Sequence, residues 1–182
     1  MIRAACAAAI ALLAVAVISS PSAGRVFQSK EDAARAAFPG ADSVEKRTLA
    51  LGDEQLAAIV ELAGSPPSSN VATVFVAMKE SSPIGYAFID TDIVRRLPAT
   101  FMIVVAPDGS VKSIETIAFY EPDEYLPPKP WTSQFHGKTL SPALRLRGDI
   151  NGIAGATLSS AAVTAAVRRS LALYAVLFKG AR

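Results

Sequence analysis

TFMIVVAPDGSVKSIETIAFYE, running from Thr100 to Glu121, consists of two apolar, β-branched runs on either side of Pro107-Asp108-Gly109-Ser110. Proline presets φ for the first corner of a turn and glycine accepts a positive φ, so the four residues predict a hairpin turn. Thr100 to Ala106 and Val111 to Glu121 are then its two strands. Strict alternation over the second strand puts Ile114, Thr116, Ala118 and Tyr120 on one face and Glu115, Ile117 and Phe119 on the other. Upstream, Val71 to Lys79 and Ile84 to Asp90 have the same β-branched and aromatic character and are bounded by turn residues. Val44 to Leu51 is mixed and is compatible with a strand.

Helices flank this block. Ser29 can cap a short helix whose first turn carries Glu31 and Asp32, and Pro39-Gly40 ends it. Leu56, Ile59, Val60 and Ala63 fall at helical spacing after Asp53, which is read as the cap. Gly64 to Asn70 is a loop by composition. A last helix runs from about Leu158 to Phe178 and is almost wholly apolar or small, yet Arg168-Arg169 lie at its middle, where lipid would penalise charge. It therefore reads as a helix buried in its own domain. Three to five antiparallel strands among helices predict an α+β fold: an antiparallel sheet flanked by helices, with the long C-terminal helix placed after a glycine-rich loop.

The chain is 182 residues long and 51% hydrophobic, which suits one domain and excludes disorder as the main state. Its 18 Lys+Arg against 16 Asp+Glu are too balanced for a dedicated nucleic-acid binder. One Cys and one His exclude a zinc cluster, a disulfide framework and a Cys-based redox pair. His136 reads as a loop histidine, so a Ser-His-Asp hydrolase is unsupported and no catalytic or metal-ligating set is assigned.

Residues 1–24 are read separately as a signal segment. Arg3, an apolar run from Ala4 to Ile18 and the small residues Ser19 to Gly24 match a secretory pattern with cleavage after Ser22. An uncleaved anchor is the alternative, although the run falls short of the roughly 20 residues that span a bilayer. Cys6 lies inside the run, which argues against a lipid attachment site. The expectation is a periplasmic or otherwise extracytoplasmic domain over 25–182. Within it, Arg25 to Gly137 carries 10 Lys/Arg and 15 Asp/Glu, whereas Lys138 to Arg182 carries 7 Lys/Arg against Asp149 alone. Such a basic quarter suits an anionic ligand or an acidic partner, and is equally consistent with a solvated face.

Two loops carry candidate chemistry. Pro122 to Pro130 and the turn after it bring Tyr125, Trp131 and Phe135 close in sequence, as flat surface for a planar ligand or as a satellite hydrophobic cluster. Gly148-Asp149-Ile150-Asn151-Gly152-Ile153-Ala154-Gly155-Ala156-Thr157-Leu158-Ser159-Ser160 precedes the last helix. Glycines permit close approach of backbone to ligand, and the first N–H groups of a helix attract phosphate. The hydroxyls of Thr157, Ser159 and Ser160 cluster there. The run lacks the Gly-Lys-Ser/Thr of a Walker loop and the Gly-x-Gly pair of a dinucleotide fingerprint. Physics alone leaves a phosphate site and an ordinary N-cap built on Thr157 both open.

Gly155-Ala156-Thr157-Leu158-Ser159-Ser160 resembles the signature of the FMN-binding domain family, which includes the flavin-bearing subunits of the Rnf complex and of sodium-pumping NADH:quinone reductase as well as small exported domains. Gln134-Phe135-His136-Gly137-Lys138 resembles the stretch that precedes the signature, and the similarity covers roughly Val71 to the end of the last helix. The resemblance implies FMN joined through its phosphate to Thr157 by a dedicated flavin transferase. It also implies an electron carrier working with a membrane redox complex or a periplasmic donor or acceptor. On this reading Gly155, Ala156, Thr157, Leu158, Ser159 and Ser160 form the phosphate loop. Lys138, Arg145 or Arg147 balances the phosphate charge, and Tyr120, Tyr125, Trp131 or Phe135 lies near the flavin ring. Two positions depart from the pattern: Ala154, where the family often has Ser or Thr, and Asn151, where it often has Asp. The alternatives are a flavin-dependent reductase of a small substrate and a non-redox binding module that has lost its flavin.

Overall fold

The computed structural model describes residues 24–179. The signal segment, its cleavage position and Cys6 lie outside the described residues apart from Gly24, as does Arg182. Six strands form one curled antiparallel sheet: β1 (Arg25–Val26), β2 (Ser43–Ala50), β3 (Val71–Lys79), β4 (Ser82–Ile93), β5 (Pro98–Val105) and β6 (Val111–Phe119). Their order is β1-β6-β5-β4-β3-β2, a meander from β2 to β6 with β1 closing the far edge. The helices are α1 (Lys30–Ala37), α2 (Asp53–Ala63), the single turn α3 (Lys129–Thr132) and α4 (Thr157–Leu177). This is the expected α+β class, with one strand more than the sequence discloses.

Both faces of the sheet are covered, and this explains why β3 to β5 read as nearly continuous apolar runs. Val74, Val76, Tyr86, Phe88, Phe101, Ile103 and Val105 face the larger core beneath α2 and α4. Phe75, Ala77, Ala87, Met102 and Val104 face the smaller one, where Ala33, Ala34 and Phe38 of α1 pack. α1 starts as expected, with Ser29 Oγ accepting from the Asp32 N–H at 3.0 Å. α2 differs in detail. Gly52, not Asp53, takes the cap position, and its N–H donates to Gln55 Oε1 at 3.0 Å.

The alternation expected in β6 fails at its end. Phe101 pairs with Thr116 while Thr100 pairs with Ala118, so Ile117 is an extra residue in a bulge. A bulge flips the side-chain parity of the residues beyond it. Ile114 and Phe119, expected on opposite faces, therefore both enter the larger core, and Ile117 alone points into the smaller one.

α4 has the length and hydropathy of a membrane span, but 67% of its most apolar window is buried inside the domain. Its two arginines are spent on structure. Arg168 donates to the carbonyls of Leu62 (3.0 Å), Ala63 (2.7 Å), Ser141 (2.8 Å) and Leu144 (3.1 Å), which closes the C-terminal end of α2. Arg169 is buried and binds Asp90 through two bonds of 2.9 and 2.6 Å and Asp92 through one of 2.8 Å. Burial alone would depress the Arg169 guanidinium, but Asp90 and then Asp92 outweigh it and raise the pKa above the usual range.

Candidate functional site at the start of helix α4

The turn before α4 is shaped by Gly155, which sits at φ +79°. A side chain there would adopt the left-handed region at a cost of roughly 1–2 kcal/mol. Gly155→Ala is accordingly expected to lower stability by about 1 kcal/mol in urea denaturation, with a larger loss for Gly155→Val, whose branched Cβ suits that region least. Ser160 ties the turn together. Its Oγ accepts from the Ile153 N–H at 3.0 Å and donates to the Ala156 carbonyl at 3.0 Å.

Ala156 is the cap residue of α4 and makes no side-chain cap bond, and Thr157 is the first helical residue. The reading of Thr157 as an ordinary capping oxygen is thereby replaced. Among the described residues its hydroxyl has no hydrogen-bond partner, and the residue is exposed. The first intrahelical bond runs from Ser160 N to Ala156 O at 3.0 Å, so the N–H groups of Thr157, Leu158 and Ser159 precede the ladder and are available to an anion.

These groups open onto a cavity of about 290 Å³ lined by Arg95, Tyr125, Gly155, Ala156, Thr157, Leu158 and Ser159. Ordinary ligand pockets span roughly 300–1,000 Å³, so this one suits the phosphate end of a cofactor rather than all of it. Ser159 is only 1% exposed, and its Oγ is one of two buried hydroxyls, with that of Ser170, that lack a partner among the described residues. A buried unpaired hydroxyl costs about 1–3 kcal/mol. That cost falls away when a ligand supplies the missing acceptor. Free backbone donors, an unpaired hydroxyl, a guanidinium and an aromatic ring are a donor set that fits a phosphate with a flat group attached.

Arg95 was not legible as part of this site. It lies in the β4–β5 loop, which Glu121 holds from below by accepting the N–H groups of Arg96 (2.7 Å) and Leu97 (3.0 Å). The loop places the Arg95 guanidinium 4.6 Å from the centre of the Tyr125 ring, a stacking contact worth about 0.5–1 kcal/mol at an exposed site. The only sequence sign is the pair Arg95-Arg96 between two strands, and polarity in a turn is commonplace.

The other expected site residues are distributed differently. Tyr125 lines the cavity and is half-buried. Trp131 and Phe135 belong to the main core, with their rings edge-to-face at 5.5 Å, and Phe135 is fully buried. They are not a flat surface open to a ligand, because burying two large rings beneath the loop is worth more than exposing them. They act on the site through the backbone: Trp131 Nε1 donates to the Asn151 carbonyl at 2.6 Å, and the Asn151 N–H donates to Gln134 Oε1 at 3.1 Å. Lys138 does not line the cavity; its Nζ lies 3.8 Å from Asp149. Arg145 and Arg147 are exposed and also absent from the lining. The departures at Asn151 and Ala154 fall on exposed positions, and Asn151 serves the loop by its main chain.

Free helix N–H groups, hydroxyls and a cation around one small cavity are the groups that would hold a phosphate-bearing ligand. Residues 97–172 match the family model of the FMN-binding domain. No curated protein matches the chain. The matched stretch contains β5, β6, the Trp131–Lys138 segment and the greater part of α4, and so includes every loop residue of the cavity except Arg95. The match supports FMN as the ligand.

Proposed function

We propose that the chain is an exported flavoprotein whose FMN is linked through its phosphate to Thr157, and that it carries electrons between a membrane redox complex and an extracytoplasmic donor or acceptor. The observation that carries the reading is the Thr157 hydroxyl, exposed, without a hydrogen-bond partner among the described residues and set at the first position of α4 beside free backbone N–H groups. Thr157 Oγ1 supplies the nucleophile. It bonds to the phosphorus of an FMN donated as a phosphoanhydride, the hydroxyl proton leaves to solvent, and the donor's second phosphate group departs with the electron pair of the broken P–O bond. A flavin transferase catalyses this step. The chain's own part is to hold Oγ1 at the helix start and to offer N–H groups to the phosphate oxygens. When bound, the flavin supplies one- and two-electron chemistry, and the protein sets its position and surroundings.

Export is supported by the pattern of residues 1–24. A tether has an evident use there, since a diffusible cofactor is lost outside the cytoplasm. Co-expression with a flavin transferase followed by denaturing electrophoresis tests the linkage. A fluorescent flavin band at the mass of the chain is expected, and a dark band beside a fluorescent control substrate overturns the proposal.

A further inference from the structure

The geometry points to Arg95 as the side-chain cation that binds the phosphate held at the start of α4. This inference rests on the reading of Thr157 as the flavin acceptor and goes beyond the family, because Arg95 lies outside the matched stretch 97–172. Three observations converge. Arg95 is the one Lys or Arg that lines the cavity containing Thr157. Its loop is fixed by the buried Glu121 carboxylate, and its guanidinium is oriented by stacking on Tyr125. Ser159, buried and without a partner among the described residues, lines the same cavity and marks a place where a hydrogen-bond acceptor is missing.

Among the described residues, the cations of the basic quarter are otherwise engaged or lie elsewhere. Lys138 faces Asp149, Arg169 faces Asp90 and Asp92, and Arg168 is spent on carbonyls. Arg95 makes no ion pair with any of the described residues, so it can turn its fork to a phosphate oxygen while keeping its plane on Tyr125. The same stack narrows the cavity and leaves Tyr125 as the ring beside the phosphate. A linked phosphodiester carries one negative charge. The helix N-terminus and Arg95 then flank that charge, one from the main chain and one from a side chain.

The test compares wild type, Arg95→Gln and Arg95→Lys, each prepared with and without a flavin transferase. Intact mass follows the rate of loading, phosphorus NMR reads the environment of the linked phosphate, and thermal denaturation gives Tm before and after loading. Arg95→Gln is expected to load about tenfold more slowly, to shift the phosphorus resonance, and to lose at least half of the Tm gain that loading brings. Arg95→Lys is expected to recover most of the rate. Should the glutamine variant load at the wild-type rate with an unmoved resonance, the role of Arg95 is refuted while Thr157 stands. Should Arg95→Gln and Arg95→Lys lower the unloaded Tm equally and slow loading equally, the residue acts only by stacking and the proposal is overturned. Should the wild type fail to load beside an active control, the acceptor reading itself falls and takes the proposal with it.

Discussion

Thr157→Ala is expected to abolish covalent flavin loading completely while leaving the fold in place. The two halves of this expectation have separate physical grounds. The Thr157 hydroxyl has no partner among the described residues, and the cap position belongs to Ala156, so removing the hydroxyl breaks no internal bond. Alanine is also at least as good a helix former as threonine. Stability should therefore change by no more than about 0.5 kcal/mol, as for other exposed substitutions. Loading, in contrast, needs an exposed oxygen nucleophile: the Ser160 hydroxyl is engaged with Ile153 and Ala156, and the Ser159 hydroxyl is buried and placed to donate to the phosphate rather than to attack it. Thr157→Ser keeps the oxygen and should still load, more slowly, since loss of the γ-methyl frees χ1. Intact mass after denaturation reads the loading, and circular dichroism with a thermal melt reads the fold. A flavin adduct that persists in the alanine variant would place the attachment elsewhere.

Arg169→Met carries the largest expected cost to stability. Arg169 and Asp90 have side chains only 6% and 5% exposed and share two hydrogen bonds, with Asp92 contributing a third. Removing the guanidinium strands a buried carboxylate beside a second one, and breaking such a pair costs about 3–5 kcal/mol. Most natural domains have roughly 5–15 kcal/mol in total, so urea denaturation should show a large fall in midpoint at unchanged m-value. Asp90→Leu combined with Arg169→Met should cost clearly less than the two single changes summed, since the partners are coupled. A loss under about 1 kcal/mol for Arg169→Met would mean that water already reaches the pair. The functional consequence derives from position. Arg169 lies twelve residues along α4 from Thr157, roughly 18 Å at 1.5 Å per residue, and it pins the rotation of the helix against β4. Flavin loading should weaken in Arg169→Met even at temperatures where the variant stays folded.

The strands of the meander were legible because physics acts on them locally. The Pro107–Ser110 turn closes as read, with the Ala106 N–H donating to the Ser110 carbonyl at 2.8 Å, and the apolar runs of β3 to β5 reflect helices on both faces. Ser29 and the spacing of Leu56, Ile59, Val60 and Ala63 announced α1 and α2. The features that stayed hidden depend on contacts distant in sequence. β1 is two exposed residues whose strand character comes entirely from β6, where Arg25 pairs with Phe119 and Val26 with Ala118. The bulge at Ile117 is invisible in a strand whose residues alternate well. For Trp131 and Phe135 the sequence leaves a ligand surface and a hydrophobic cluster both open, and the Trp131 Nε1 bond to Asn151 and the core beneath draw them inward.

The site divides along the same line. The loop that lines the cavity stands out in the sequence, since glycine, hydroxyls and a helix start are contiguous. The cation that lines the same cavity does not. Lys138 seemed placed by proximity in sequence, but the cation that reaches the cavity comes from a hairpin loop some sixty residues before Thr157, held there by Glu121 and Tyr125. Lys138 instead meets Asp149.

A covalent bond at one atom is the central claim, and tandem mass spectrometry of the loaded, denatured and proteolysed chain tests it most directly. The expected result is a single modified peptide whose mass gain is one FMN less one water, with fragment ions that place the gain on Thr157. An unmodified peptide across Gly155 to Ser160, recovered from a preparation whose control substrate is fully loaded, would contradict it.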